Sequence, residues 1–191
     1  MRKIETRIIS GFPGVGKSEF FKNVKDLIVL DSDSSLFSWI KDSEGNNTKE
    51  RDPEFPMNYM KHIKDNIGKA DIILVSSHTN IREALKDNGI QYYLVYPSHP
   101  LKAEYLKRYA DRGSDEKFIQ FIDEHWHDFI NEIELDTFPF NIKLWNHQYL
   151  GDLFKGIPVC RAYHELCSVK ETNADEYPTI CHNCTDSLDL I

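Results

Sequence analysis

Eight residues near the start of the chain, Gly11-Phe12-Pro13-Gly14-Val15-Gly16-Lys17-Ser18, follow the β-branched run Arg7-Ile8-Ile9-Ser10 and precede Phe20, Phe21 and Val24 at helical spacing. A strand, a glycine loop and a helix are predicted in that order. G-x-x-x-x-G-K-S in this setting turns main-chain amides inward around phosphate oxygens, because glycine takes up positive φ and a Cβ would block close approach. The dipole of the following helix acts in the same sense. Lys17 is expected to reach the β and γ phosphates, and the Ser18 hydroxyl to ligate Mg2+. Gly11, Phe12, Pro13, Gly14, Val15, Gly16, Lys17 and Ser18 are therefore the candidate polyphosphate cradle.

The rest of the chain alternates short apolar runs with helical patterns. Leu27-Ile28-Val29-Leu30 reads as a second strand, Ile72-Ile73-Leu74-Val75 as a third, Tyr92 to Tyr96 as a fourth, and Phe140, Ile142 and Leu144 as a fifth. Runs of consecutive apolar residues belong to strands covered on both faces, as in a parallel sheet. Helices are predicted over 57–69, 81–88, 101–112 and 116–134, the last burying Phe118, Ile122, Phe129 and Ile133, with a closing helix near Tyr149 to Phe154. A short helix is expected over 35–41 and a polar, mobile-looking connection over 42–56. The fold class is α/β, a layered sandwich on a mainly parallel five-stranded sheet. At 191 residues, 40% hydrophobic and 28% charged, the composition is globular.

The third strand ends in Ser76-Ser77-His78 without a carboxylate, whereas the second ends in Asp31-Ser32-Asp33. Two residues apart on extended chain, Asp31 and Asp33 share a face. Expected beside strand one, one of them would orient Mg2+ and the other, with Asp33 favoured, would accept the proton of an attacking hydroxyl. The competing assignment makes them turn formers, with Asp33 or Ser35 capping the next helix. Arg108 and Arg112 lie four apart on the helix after strand four, able to grip one polyphosphate together, unless Arg108 pairs with Glu104 or Asp111. His78 falls near the same crevice, with packing the competing role. His125 and His127 point away from each other on their helix, and no shared metal is expected there.

On Gly11 to Ser18, the Asp31-x-Asp33 pair and the basic helix after strand four, residues 4 to 154 resemble the small phosphate-loop kinases: nucleoside monophosphate kinases, shikimate and gluconate kinases, and the 5′-kinase domain of phage polynucleotide kinase. The resemblance implies a P-loop NTPase three-layer sandwich, ATP as phosphoryl donor, Mg2+ as cofactor, Lys17, Asp31, Asp33, Arg108 and Arg112 as catalytic residues, and a nucleotide-like acceptor. It places the acceptor between strands two and three, among Phe37, Trp39, Arg51, Phe55, Tyr59, Lys61 and His62, and adenine near Asn146-His147-Gln148. The loop and the following Asp-Ser-Asp-Ser-Ser also look like phage kinases that phosphorylate hydroxymethyluracil in DNA. A nucleic-acid acceptor stays open, although a net charge of −8 works against broad binding to phosphate backbones. An NTP-binding regulator without an acceptor is the rival from another class.

All four cysteines lie in the last 32 residues. Residues 155–191 are expected to form a tail distinct from the kinase domain at 1–154. There Cys160, His164, Cys167, Cys181 and Cys184 have the two-knuckle spacing of a structural Zn2+ site, with reduced, unligated thiols as the alternative. Neither a membrane-spanning run nor a signal-peptide core is apparent, so a cytoplasmic protein is expected.

Overall fold

The structure is a computed structural model that describes residues 4–155. Its first unit ends at Leu153. In chain order the elements are β1 (Arg7–Gly11), α1 (Lys17–Asn23), β2 (Val29–Asp31), β3 (Trp39–Lys41), β4 (Asn47–Arg51), α2 (Met57–Asn66), β5 (Ile72–Ser76), α3 (Thr79–Asp87), β6 (Tyr93–Pro97), α4 (Lys102–Asp111), α5 (Glu116–Leu135) and β7 (Phe140–Leu144). Five strands form one sheet in the order β2-β5-β1-β6-β7, every pair parallel. The protein is thus α/β, with all five strand C-termini along one edge.

Burial explains the order. Ile8 and Ile9 of β1, Ile72 to Val75 of β5 and Tyr93 to Tyr96 of β6 are buried, as central parallel strands must be when both faces are covered. β1 pairs over five residues with β5, from Arg7 opposite Ile72 to Gly11 opposite Ser76, and takes β6 on its other side. Both edges of β1 are then occupied. β2, only three half-buried residues long, joins the free edge of β5, with Asp31 opposite Leu74. The expected neighbourhood of strands one and two is corrected accordingly: β5 lies between them.

Residues 35–41 are not a helix. A single 3-10 turn over Ser34–Leu36 leads into β3, which pairs antiparallel with β4, Trp39 opposite Arg51. The turn chemistry decides this outcome. The carboxylate of Asp42 accepts the amides of Glu44 and Asn46, each at 2.9 Å, and Gly45 takes the positive φ of 84° that closes the hairpin. These amides, Asn46 first, hold the Asp42 carboxyl below its usual range. The connection over 42–56 is therefore largely hairpin.

α5 buries Ile122, Trp126, Ile130 and Ile133, while Phe118 and Phe129 are half-buried. The buried stripe follows Trp126, whose ring meets Phe12 at 5.7 Å and whose indole donates to the His99 carbonyl at 2.9 Å. The expected closing helix is a 3-10 turn, Leu150–Phe154. Among the described residues no helix is long and apolar enough to cross a membrane.

Candidate functional site

The loop from Gly11 to Lys17 leaves the C-terminal end of the central strand and enters α1. Gly14 and Gly16 have φ of 84° and 93°, values that L side chains rarely adopt. A Cβ on Gly14 would stand 2.9 Å from Cε1 of Tyr109, and one on Gly16 would stand 3.1 Å from Cδ1 of Tyr149. The glycines are required here twice over, by backbone conformation and by the aromatic wall behind them.

That wall fixes which way the loop's peptide groups face. The Pro13 carbonyl accepts from the Tyr109 hydroxyl at 2.8 Å, the Gly14 carbonyl from Nη1 of Arg108 at 3.1 Å, and the Val15 carbonyl from the Leu150 amide at 2.7 Å. In a trans peptide the next residue's N–H points opposite the carbonyl. With these carbonyls turned toward α4 and the 149–150 segment, the amides of Gly14 and Gly16 are directed to the other side. Gly16 caps the N-terminus of α1 without a side-chain hydrogen bond, so the helix's first-turn amides add further donors without intrahelical acceptors. The arrangement is a concave nest of N–H groups suited to an anion.

Lys17, the first residue of α1, folds back to the start of the loop, its ammonium donating to the Gly11 carbonyl. Burial lowers its pKa from the ordinary 10.5 to about 8; Asp31 opposes that shift, Arg112 reinforces it, and Asp33 opposes it more weakly. Asp31, Asp33 and Arg112 therefore each lie within electrostatic reach of Lys17, although they come from the end of β2, the turn after it and the end of α4. His78, after β5, belongs to the same field. Burial and then the charges of Lys17 and Arg51 hold its imidazole below the usual 6.5 against the pull of Asp33.

Asp31 is half-buried at the end of β2 and Asp33 is exposed. Asp33 also plays the capping part: its Oδ1 accepts the Ser35 amide at 2.9 Å. The cap uses one of its two carboxylate oxygens. The exposed Ser18 on α1 and Asp31 are hard oxygen donors that could share a Mg2+ retaining several waters.

Arg108 and Arg112 part company. Arg108 pairs with Glu104, donates to the carbonyls of Gly14 and Gln148, each at 3.1 Å, and lies 3.8 Å from the Tyr149 ring centroid and 4.5 Å from that of Tyr105. It braces the back of the loop. Arg112 is exposed, 4.9 Å over Tyr109, with Nε donating to the Ser114 hydroxyl at 2.8 Å. Lys102 and Lys107, the other cations of this helix, bind Asp123 and Asp111.

Between β2 and β5, Phe37, Phe55 and His62 gather around the buried Tyr59. The Arg51 guanidinium lies 4.0 Å over Trp39 across the hairpin. After β7, the Gln148 side chain accepts the Trp145 amide at 2.8 Å, so its carbonyl oxygen is already engaged by the turn. His127 meets His99, Nδ1 to Nδ1 at 3.1 Å, while His125 contacts the Phe121 carbonyl. Among the described residues no three His, Cys, Asp or Glu side chains gather as metal ligands. Cys160, His164, Cys167, Cys181 and Cys184 lie outside the described residues.

The loop brace of Tyr105, Tyr109, Arg108 and Tyr149 was not legible as such in the sequence, because its members meet only across the fold. No known protein family matches the chain, and neither does any curated protein.

Proposed function

We propose that the chain is a P-loop NTPase-type sandwich acting as an ATP- and Mg2+-dependent phosphotransferase, which moves the γ-phosphoryl group onto a nucleotide-like acceptor. The observation that carries this reading is the loop itself. The carbonyls of Pro13, Gly14 and Val15 are pinned backward by Tyr109, Arg108 and Leu150, the amides of Gly14 and Gly16 face the other way, and Lys17 bonds the Gly11 carbonyl within electrostatic reach of two carboxylates. Such a cradle matches a polyphosphate in shape and charge.

In this reading the loop amides and Lys17 hold the β and γ phosphates and neutralise charge as it moves toward the leaving oxygen. Ser18 and Asp31 would hold Mg2+, which supplies charge neutralisation across the phosphates when bound. An acceptor oxygen attacks the γ-phosphorus and the bond from that phosphorus to the β,γ-bridging oxygen breaks, releasing ADP. If the acceptor is a hydroxyl, its proton passes to the Asp33 carboxylate. Arg112, exposed and near Lys17, is the cation left to meet the transferring group, because Arg108 is occupied behind the loop. The aromatic and cationic segment around Trp39 and Arg51 is the candidate acceptor side.

Incubation with γ-labelled ATP and Mg2+ tests the assignment against nucleoside monophosphates, small hydroxy acids, oligonucleotide ends and hydroxymethylated DNA. Label on one acceptor class supports it and names the substrate. Label appearing only as free phosphate would favour the regulator, and no turnover of ATP with any acceptor would remove the enzyme.

A further inference from the structure

Asp31 ends the edge strand β2 and Asp33 follows it, with Ser32 between them, where the outer side of the chain has no sheet neighbour. On the inner side the segment is secured: the Ser32 amide donates to the Leu74 carbonyl at 2.9 Å, and the Ser34 hydroxyl meets that of Ser76 at 2.7 Å. The Ser32 carbonyl is instead met by the hydroxyl of Tyr59, 27 residues on, which donates to it at 2.7 Å. Tyr59 is fully buried on α2, with Phe37 at 5.1 Å and Phe55 at 6.4 Å between ring centroids. Its neighbour Asn58 donates to the Phe37 carbonyl at 2.9 Å and the Asp52 carboxylate at 3.2 Å, tying the same stretch of chain to α2.

We propose that Tyr59 is the positioning residue for the Asp31/Asp33 pair, its hydroxyl fixing the peptide between the two carboxylates so that metal and proton-accepting groups keep one spacing. This rests on the phosphotransferase reading. The hydroxyl is suited to the task because burial pushes its pKa up to about 12, with Asp33 and Asp31 adding to the shift, so it remains a donor over the whole working range. A displacement of about 1 Å at a catalytic group costs on the order of 100-fold in rate. A lost pin between two such groups is therefore expected to act on turnover far more than on ATP binding.

Tyr59→Phe in the full chain keeps the ring and deletes the pin. Against the acceptor that wild-type protein labels, kcat should fall about 10- to 100-fold while KM for MgATP stays within about twofold. Exchange of the Ser35 amide, held by Asp33, should accelerate about tenfold, with the Leu74 amide unchanged. A kcat within twofold of wild type overturns the proposal, as does a parallel loss of kcat, KM and folded fraction, which would mark a purely structural residue. If wild-type protein labels no acceptor, the phosphotransferase reading fails by itself. Ser35 exchange then decides alone whether Tyr59 holds the segment, and unchanged exchange rejects it.

Discussion

Replacing Lys17 by methionine should stabilise the unliganded protein, and the size of the effect follows from its surroundings. The ammonium bonds the Gly11 carbonyl, and burial there lowers its pKa from 10.5 to about 8. At ~1.4 kcal/mol per tenfold change in proton affinity, that fall corresponds to about 3 kcal/mol against the charged form in the folded state. Lys17 as a residue is only half-buried, so solvent screening makes this figure a ceiling. Loss of its hydrogen bond to the Gly11 carbonyl subtracts about 1 kcal/mol. Lys17→Met is then expected to gain about 1–2 kcal/mol at pH 7, a rise in thermal midpoint of roughly 2–8 °C for a unit of this size. The pH dependence has a definite sign. Between about 8 and 10.5 folded wild-type protein has lost the proton that the unfolded chain retains, so wild-type stability rises through that window and the variant's advantage fades. Thermal denaturation of both proteins at pH 7 and pH 10 checks this. A variant no more stable at pH 7, or an advantage undiminished at pH 10, would refute the reasoning.

The two arginines should separate cleanly. Arg108→Ala takes the guanidinium from Glu104, which keeps the His147 amide, and removes the donor to two carbonyls and the packing against two rings, so it should cost roughly 2–4 kcal/mol in a urea titration and weaken nucleotide binding with it. Arg112→Ala should change stability by less than about 0.5 kcal/mol while lowering kcat. Gly14→Ala places a Cβ against Tyr109 at a φ of 84°, and titration calorimetry should find ATP affinity reduced at least about tenfold. Asp33→Asn keeps an oxygen for the Ser35 amide but cannot take a proton; label transfer to a hydroxyl acceptor should fall by about 100-fold or more with ATP binding retained, and unchanged transfer would reject Asp33 as the base.

What could be read from the sequence was what local chemistry determines. Gly14 and Gly16 announce positive φ by their identity, and the runs 72–75 and 93–96 announce buried strands because few polar side chains interrupt them. Asp31 and Asp33 stood out through their spacing. The order of strands was not readable, because whether β2 joins β1 or β5 depends on which edges remain open after the longer strands pair. The hairpin was missed for a different reason: β3 has three residues, too few for a periodicity, and Asp42 to Asn46 looks polar whether or not its carboxylate collects two amides. Arg108 shows the limit most directly. Its partner Glu104 was legible at one helical turn, but its bonds to Gly14 and Gln148 span 94 and 40 residues, and they tie it to the back of the loop. The stripe on α5 shifted from Phe129 to Trp126 and Ile130 because a buried indole with a carbonyl to donate to sets the rotation of the helix.

Isothermal titration of the full chain with ATP, with and without Mg2+, tests the cradle most directly. The account predicts one ATP per chain at micromolar affinity or tighter, dependent on Mg2+ and abolished in Lys17→Met. Absence of heat and of any thermal stabilisation with every magnesium nucleoside triphosphate, from wild-type protein shown to be folded, would contradict it.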